Sequence, residues 1–268
     1  MAAVSTVLGL PLAAAAETRT FPGGRAVNED CAGARVGEAG GCWVVADGLG
    51  GHGGGEIASR LAVDAVLEAA RLRMPASAED LRAAVERAHA AVRAGQAAGG
   101  PANMHSTLAV LVSDGRLAQW AHVGDTRIYH FRAGRLLHQT ADHSVPQMLV
   151  ETGEITPGQV RRHEDRARLL RALGQDGGAK PTISAAPVAV HPGDAFLLCT
   201  DGWWEHVREG EMVADLLKSA RAGEWLDRMA ARIAVRARGD HDNYTAAALV
   251  VPAAEWGTGQ ATAAADAG

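Results

Sequence analysis

A chain of 268 residues with 47% apolar and 21% charged side chains can bury a real core, which excludes general disorder. A formal charge of −5 argues against a nucleic-acid-binding surface as its main business. Three cysteines, Cys31, Cys42 and Cys199, form no CxxC pair, so a disulfide framework and a zinc ribbon both drop out. They read as reduced, buried small apolar residues. Lys180 and Lys218 are the only lysines, and with abundant Ala and Gly the arginine excess reads as compositional bias rather than function.

The start, Ala2 to Ala16, is apolar but lacks a basic n-region and is interrupted by Pro11, so it reads as a first strand and its lead-in rather than a signal peptide. No apolar run reaches the length of a membrane span, and a cytoplasmic location is expected. In chain order, strands are predicted at Trp43 to Ala46, Leu108 to Val112, Leu117 to Val123, Arg127 to Phe131, Ala195 to Thr200 and Tyr244 to Val251. Turn-like Ser113-Asp114-Gly115 and Arg132-Ala133-Gly134 predict two hairpins. Helices are predicted from Glu56 to Met74, from Ser77 with Asp80 in capping-box spacing, and around the stripe Trp225, Leu226, Met229, Ala230 and Ile233. These elements do not alternate as βαβ units, which favours antiparallel sheets with helices packed outside. Ala253 to Gly268 has little to bury and is expected to be a flexible tail.

The strongest local feature is Val44-Val-Ala-Asp47-Gly48-Leu49-Gly50-Gly51-His52-Gly53-Gly54-Gly55-Glu56. Gly48 to Gly53 formally matches GxGxxG, but Asp47 sets a carboxylate where a pyrophosphate would lie. No Lys-Ser/Thr closes the run as a Walker loop requires. A carboxylate followed by glycines suits a hard divalent cation, although a turn with an N-capping Asp reads equally well at this one position. The pattern recurs at Asp125, which follows one strand and precedes another, at Asp201 after a strand and at Asp242 before the last, so four aspartates sit at the edges of apolar strands. A sandwich gathers such positions at one end. Acidic ligands without a His or Cys set select Mg²⁺ or Mn²⁺, and carboxylates sharing two such ions describe a binuclear hydrolytic centre. Arg25, one arginine among many, is a possible phosphate fork.

These residues, in this order, resemble the metal-dependent protein phosphatase family (PPM, phosphatase 2C-like) in its short bacterial single-domain form. Arg25-Ala-Val-Asn28-Glu29-Asp30-Cys-Ala-Gly33 resembles RxxNxDxxG, Val45-Ala-Asp47-Gly48-Leu-Gly50-Gly51-His52 resembles ADGxGGH, and Val123-Gly124-Asp125-Thr126-Arg127-Ile-Tyr129 resembles VGDSRxY. Asp142-His143-Ser144 with Glu151-Thr-Gly153-Glu154-Ile155 resembles the DHS…xxGxI stretch. Arg171-Ala-Leu173-Gly174, Leu198-Cys199-Thr200-Asp201-Gly202-Trp203-Trp204-Glu205 and Asp242-Asn243-Tyr-Thr245 resemble RALG, LCSDGLWE and DNxT. The match runs over roughly residues 10 to 252, and the ordered set is far more specific than any one motif.

The resemblance implies an α+β fold, a four-layer α-β-β-α sandwich of two packed antiparallel sheets flanked by helices. It implies a catalytic domain over residues 1–252, with a flap at about 142–174 beside the site suited to substrate selection. The implied activity is hydrolysis of phosphoserine and phosphothreonine in proteins by direct attack of a metal-bridging hydroxide, with Mn²⁺ or Mg²⁺ as two catalytic ions and a third in some members. By motif match, Asp47 bridges both ions with the Gly48 carbonyl on one. Asp201 and Asp242 complete the other, and Asp125 with Asp201 holds the third. Arg25 clamps the phosphate and Asp30 orders water from behind. Implied partners are phosphorylated proteins and an opposing bacterial serine/threonine kinase, with no nucleic acid and a monomer by default. No Cx5R loop or DxDx[T/V] nucleophile is present, in keeping with a mechanism without a phosphoenzyme.

Three positions depart from the pattern. Leu49 stands where eukaryotic relatives place a histidine, with His52 only a weak substitute; His105 replaces a glycine of MGTT; and Leu170 replaces the threonine ahead of RALG. A rival reading is a pseudophosphatase, a phosphoprotein- or regulator-binding module without turnover, against which all four aspartates weigh. A third, a metallophosphoesterase suggested by Gly239-Asp240-His241-Asp242, lacks the second Asp after Asp125.

Overall fold

The computed structural model describes residues 6–7, 10–11, 16–38, 40–50, 54–101 and 103–251. His52 and the expected tail, 253–268, lie outside the described residues. The chain begins with β1 (Thr6–Val7), β2 (Leu10–Pro11), β3 (Ala16–Phe21), β4 (Cys31–Gly37), β5 (Gly40–Ala46) and β6 (Gly48–Leu49). Helices α1 (Gly54–Leu72) and α2 (Ala78–Ala97) follow. Next come β7 (His105–Ser106), β8 (Leu108–Ser113), β9 (Leu117–Val123), β10 (Arg127–Arg132) and β11 (Arg135–Gln139). After α3 (Val145–Glu151) and α4 (Pro157–Val160) come β12 (Thr182–Ile183), β13 (Val188–Ala189) and β14 (Asp194–Cys199). The last elements are α5 (Asp201–Trp204), α6 (Glu209–Leu216), α7 (Ala222–Arg236) and β15 (Tyr244–Val250).

Two antiparallel sheets carry the molecule, in the orders β11-β10-β14-β15-β3 and β12-β9-β8-β5-β4, with β13 also on β9. Their layering follows from the period of two along each strand. On β5, Cys42, Val44 and Ala46 pack towards α1 and α2, whereas Trp43 and Val45 meet Ile128, Phe196, Leu198 and Leu249 between the sheets. On β14, Leu197 and Cys199 pack with Trp203, Trp225 and Met229 of the outer helices, whereas Phe196 and Leu198 face the other sheet. These strands are covered on both faces, so they read as continuous apolar runs rather than alternating ones. The result is the expected α-β-β-α sandwich.

The predicted strands, hairpins and long helices are present. The Ser77 hydroxyl accepts from Asp80 N at 3.1 Å, while the Asp80 carboxylate reaches back to Ala76 N–H at 3.1 Å, one residue beyond the ordinary capping box. Among the described residues the first strand of the two main sheets is β3, which starts at Ala16, the last residue of the expected lead-in; it is an edge strand whose polar Glu17, Arg19 and Thr20 hid the rest of it. β4, the edge of the other sheet, was hidden for the same reason. Among the described residues no helix is long and apolar enough to cross a membrane.

Candidate metal centre

Strand register brings the four aspartates to one end of the sandwich. In one sheet the pairs Arg127↔Cys199 and Cys199↔Ala246 align the start of β10, the end of β14 and the start of β15. These carry Asp125, Asp201 and Asp242. In the other sheet, Val45↔Ala109 and Leu108↔Val123 place the end of β5, and so Asp47, beside the segment leading to Asp125. A cleft of about 610 Å³ opens there, lined by Asp47, Gly48, Asp125, Asp201, Asp242 and Arg25 together with Glu29 and Asn243. Arg25 is the one cationic side chain among its described lining residues. Asp30 is buried behind this lining rather than in it.

Main-chain bonds fix Asp47 and the Asp125 turn. Asp47 N donates to Thr107 Oγ1 at 2.9 Å, and Asp47 O accepts from Thr107 N at 2.8 Å and Ser106 Oγ at 3.0 Å. Thr107 Oγ1 also meets Thr126 Oγ1 at 2.6 Å, which ties Asp47 to the Asp125 turn. Gly124, at φ +91°, lets that turn close, since a Cβ there would sit 2.7 Å from Thr107 Cγ2. Asp125 O accepts from Trp204 Nε1 at 2.9 Å. Asp242 meets Arg25 Nη2 at 3.2 Å. Asn243 is a buried hub: its amide nitrogen donates to Pro22 O and Val27 O, and its amide oxygen accepts from Glu29 N.

The Asp142-His143-Ser144 run supports the same turn. Asp142 binds Arg127 through both oxygens at 2.8 and 2.7 Å, and Ser144 caps α3. His143 Nδ1 accepts from Gly124 N at 3.1 Å, which places its proton on Nε2, facing Thr182 Oγ1 at 2.8 Å. Burial, with His122 and Arg171 nearby, lowers the His143 pKa to about 3, so the ring stays neutral and keeps this acceptor.

Burial pushes the Asp47 carboxyl well above its ordinary range, helped by repulsion from Asp30, Asp201, Asp125 and Asp242. Asp201 rises likewise, through burial and then Asp125. Asp125 is pushed up to about 7 by burial and Asp142, and Asp30 to about 7 by burial, against hydrogen bonds from Thr245 and Thr200. Asp30 Oδ2 accepts from Thr200 Oγ1 at 3.0 Å, but Asp30 Oδ1 and Asp201 Oδ1 are buried without any hydrogen-bond partner. Crowded, desolvated carboxyls with orphaned oxygens are what positive charge and its water would satisfy. Among the described residues no three His, Cys, Asp or Glu side chains close on a common point tightly enough to hold an ion unaided. The donor set still fits hard ions of the Mg²⁺ type, which keep several waters and take only one or two carboxylates each.

The structure therefore brings together Arg25, Asp47, Gly48, Asp125, Asp201 and Asp242. Sequence reading overlooked Glu29 and the Asn243 hub as lining residues, although both stand inside quoted motifs. Leu49 pairs directly with His105 across β6 and β7, so these two departures from the family pattern are neighbours. Gly48 has no room for a side chain: a Cβ would lie 2.1 Å from Gly55 O and 2.6 Å from Glu29 O. Gly48→Ala is expected to push β6 off the first turn of α1, costing about 1–3 kcal/mol by overpacking. Urea unfolding of the metal-free protein reads that loss.

Fold and cleft together define an α-β-β-α sandwich protein with a carboxylate-ringed site at one end of its sheets. The family model described as "Protein phosphatase 2C" matches residues 24–240, and the chain belongs to that family. It is 34% identical over 232 residues to the serine/threonine protein phosphatase PstP of Mycobacterium tuberculosis, covering 82% of this chain but 41% of that relative's length. It is 35% identical over 185 residues to a serine/threonine phosphatase stp of Listeria welshimeri, covering 67% of this chain and 72% of the relative. The crystal structure of the PstP catalytic domain in complex with two manganese ions superposes with a TM-score of 0.73 at 30% identity, covering 88% of this chain and 97% of that one.

Proposed function

We propose that this chain is a Mn²⁺- or Mg²⁺-dependent protein serine/threonine phosphatase, with its catalytic domain reaching to residue 252 and residues 142–174 forming a flap beside the cleft. The observation that carries the reading is the convergence of Asp47, Asp125, Asp201 and Asp242 from four strand ends on a cleft that also holds Arg25. Asp47, the Gly48 carbonyl, Asp201 and Asp242 are the groups to hold two divalent ions, and Asp125 with Asp201 suits a third. When bound, such ions make hydroxide available near neutral pH and screen the phosphate dianion.

The remaining work falls to the chain's own groups. Arg25, half-exposed and bonded to Asp242 through Nη2 at 3.2 Å, can offer its guanidinium to a phosphate, binding two oxygens and stabilising charge as the phosphoryl group transfers. Asp30, anchored through Oδ2 to Thr200, keeps Oδ1 free to accept a proton or orient water. Among the described lining residues the groups that can protonate the departing alkoxide are carboxyls, with water beside them; His52 lies outside the described residues.

Substrates in this reading are phosphorylated proteins made by an opposing serine/threonine kinase. The test is phosphate release from a phosphothreonine peptide with added Mn²⁺ and with chelator. Turnover that appears with the metal and disappears with chelator supports the assignment. No turnover by folded, metal-loaded protein on several phosphopeptides would return the chain to the pseudophosphatase reading.

A further inference from the structure

The cleft carries a second lining besides its carboxylates. Ala26, Val27, Leu49, Ala167 and Leu169 contribute apolar surface to the same space. Val27 is 46% exposed and joins the other four in one apolar patch that faces the cleft. The stretch from 161 to 171 holds five arginines, Arg161, Arg162, Arg166, Arg168 and Arg171, yet none of them lines the cleft. Ala167 and Leu169 do, on either side of Arg168.

This apolar lining is held rigidly. Val27 O accepts from Asn243 Nδ2 at 3.0 Å, and the same amide group binds Pro22 O at 2.7 Å. Leu169 is bridged to Ser144, and its neighbours are fixed by Val145 N→Arg168 O at 2.9 Å and Leu170 N→His143 O at 2.8 Å. A preformed apolar surface gains more from a ligand than a mobile one, because no ordering opposes binding.

We propose that this surface seats an apolar residue adjacent to the phosphoserine or phosphothreonine of the substrate, which makes Val27 and Leu169 specificity-determining residues. The inference rests on the phosphatase reading above. With phosphate directed to Arg25 and the carboxylate-held ions, the neighbouring side chain meets Val27 and Leu169 and releases water from both apolar surfaces. An Asp in its place is desolvated there beside the carboxylates of the same cleft.

Phosphothreonine peptides varying only in the residue before or after the phosphothreonine, as Leu, Asp or Lys, test this with the Mn²⁺-loaded protein. At one of the two positions kcat/KM is expected to favour Leu over Asp by about tenfold or more, mainly through KM. Val27→Lys and Leu169→Lys are expected to shift that ratio towards the Asp peptide by about tenfold. If either lysine variant fails to fold, Val27→Ser and Leu169→Ser replace it, with the ratio falling towards unity. p-Nitrophenyl phosphate, which has no flanking residue, separates the two levels of the argument. Turnover of it by an enzyme whose kcat/KM is equal within about twofold across all peptides overturns the proposal alone. Folded variants that keep the wild-type ratio overturn it as well. No turnover of any ester overturns the phosphatase reading itself.

Discussion

Asp201→Asn is expected to remove metal-dependent turnover while making the metal-free protein more stable. The two effects share one cause. Burial and the neighbouring Asp125 hold the Asp201 carboxyl above its ordinary pKa, and its Oδ1 has no partner. A carboxyl whose folded pKa is raised binds more protons when folded, so without metal it destabilises the fold increasingly as pH rises above the unfolded value. Neutral Asn removes that repulsion, and the metal-free variant is expected to gain on the order of 1 kcal/mol at pH 7, or roughly 2–4 °C in Tm for a domain this large. Turnover moves the other way. Metal ions supply several kcal/mol of charge stabilisation, so loss of one ligand is expected to reduce kcat by roughly 10³-fold, at 1.36 kcal/mol per decade. Melting with and without Mn²⁺, beside phosphate release, reads both. Wild type is expected to gain Tm with metal, and the variant to gain much less. A variant that is less stable without metal, yet still turns over normally, would remove Asp201 from the centre.

Arg127→Met is expected to be among the most destabilising single substitutions in the molecule. Arg127 and Asp142 have side chains only 6% and 2% exposed and meet through two hydrogen bonds. The guanidinium also lies 3.6 Å from the centre of the Trp204 ring, and Trp204 in turn holds Asp125 O. Methionine fills similar space but leaves the Asp142 carboxylate buried without a cation, a change that costs about 3–5 kcal/mol. Replacing both partners, Arg127→Met with Asp142→Leu, is expected to recover most of that stability, because the stranded charge is gone. Urea unfolding of wild type, single and double variants at pH 7 separates these expectations. A double variant as unstable as the single one would place the loss in packing against Trp204 rather than in the unpaired carboxylate.

Some elements were legible in the sequence because their environment is uniform. β5, β8, β9, β10, β14 and β15 are nearly wholly buried, and their apolar runs announce them. β3 and β4 close the two sheets, one face or edge of each meets water, and their Glu, Arg and Gly residues carry no strand signal. In the site, the four aspartates were legible because each stands at the edge of an apolar strand. Glu29 and Asn243 stand inside the quoted motifs but were not singled out, because only the folded chain puts Glu29 in the cleft and makes Asn243 the anchor of Pro22, Val27 and Glu29.

By itself the sequence determined the kind of chemistry: a carboxylate at the edge of each of four apolar strands and no cysteine or histidine set to compete with hard cations, while spacing alone did not lift Arg25 above the other arginines. Only the tertiary structure decided which of these groups share a space. Arg25 reaches Asp242 across 217 positions of chain, and Asn243 fastens the loop that carries both Val27 and Glu29. It likewise placed Asp30 behind the cleft and Arg127 against Asp142. Residue type and spacing act through neighbours along the chain, whereas burial, charge repulsion and a shared cleft depend on distances that exist only once strand register has closed.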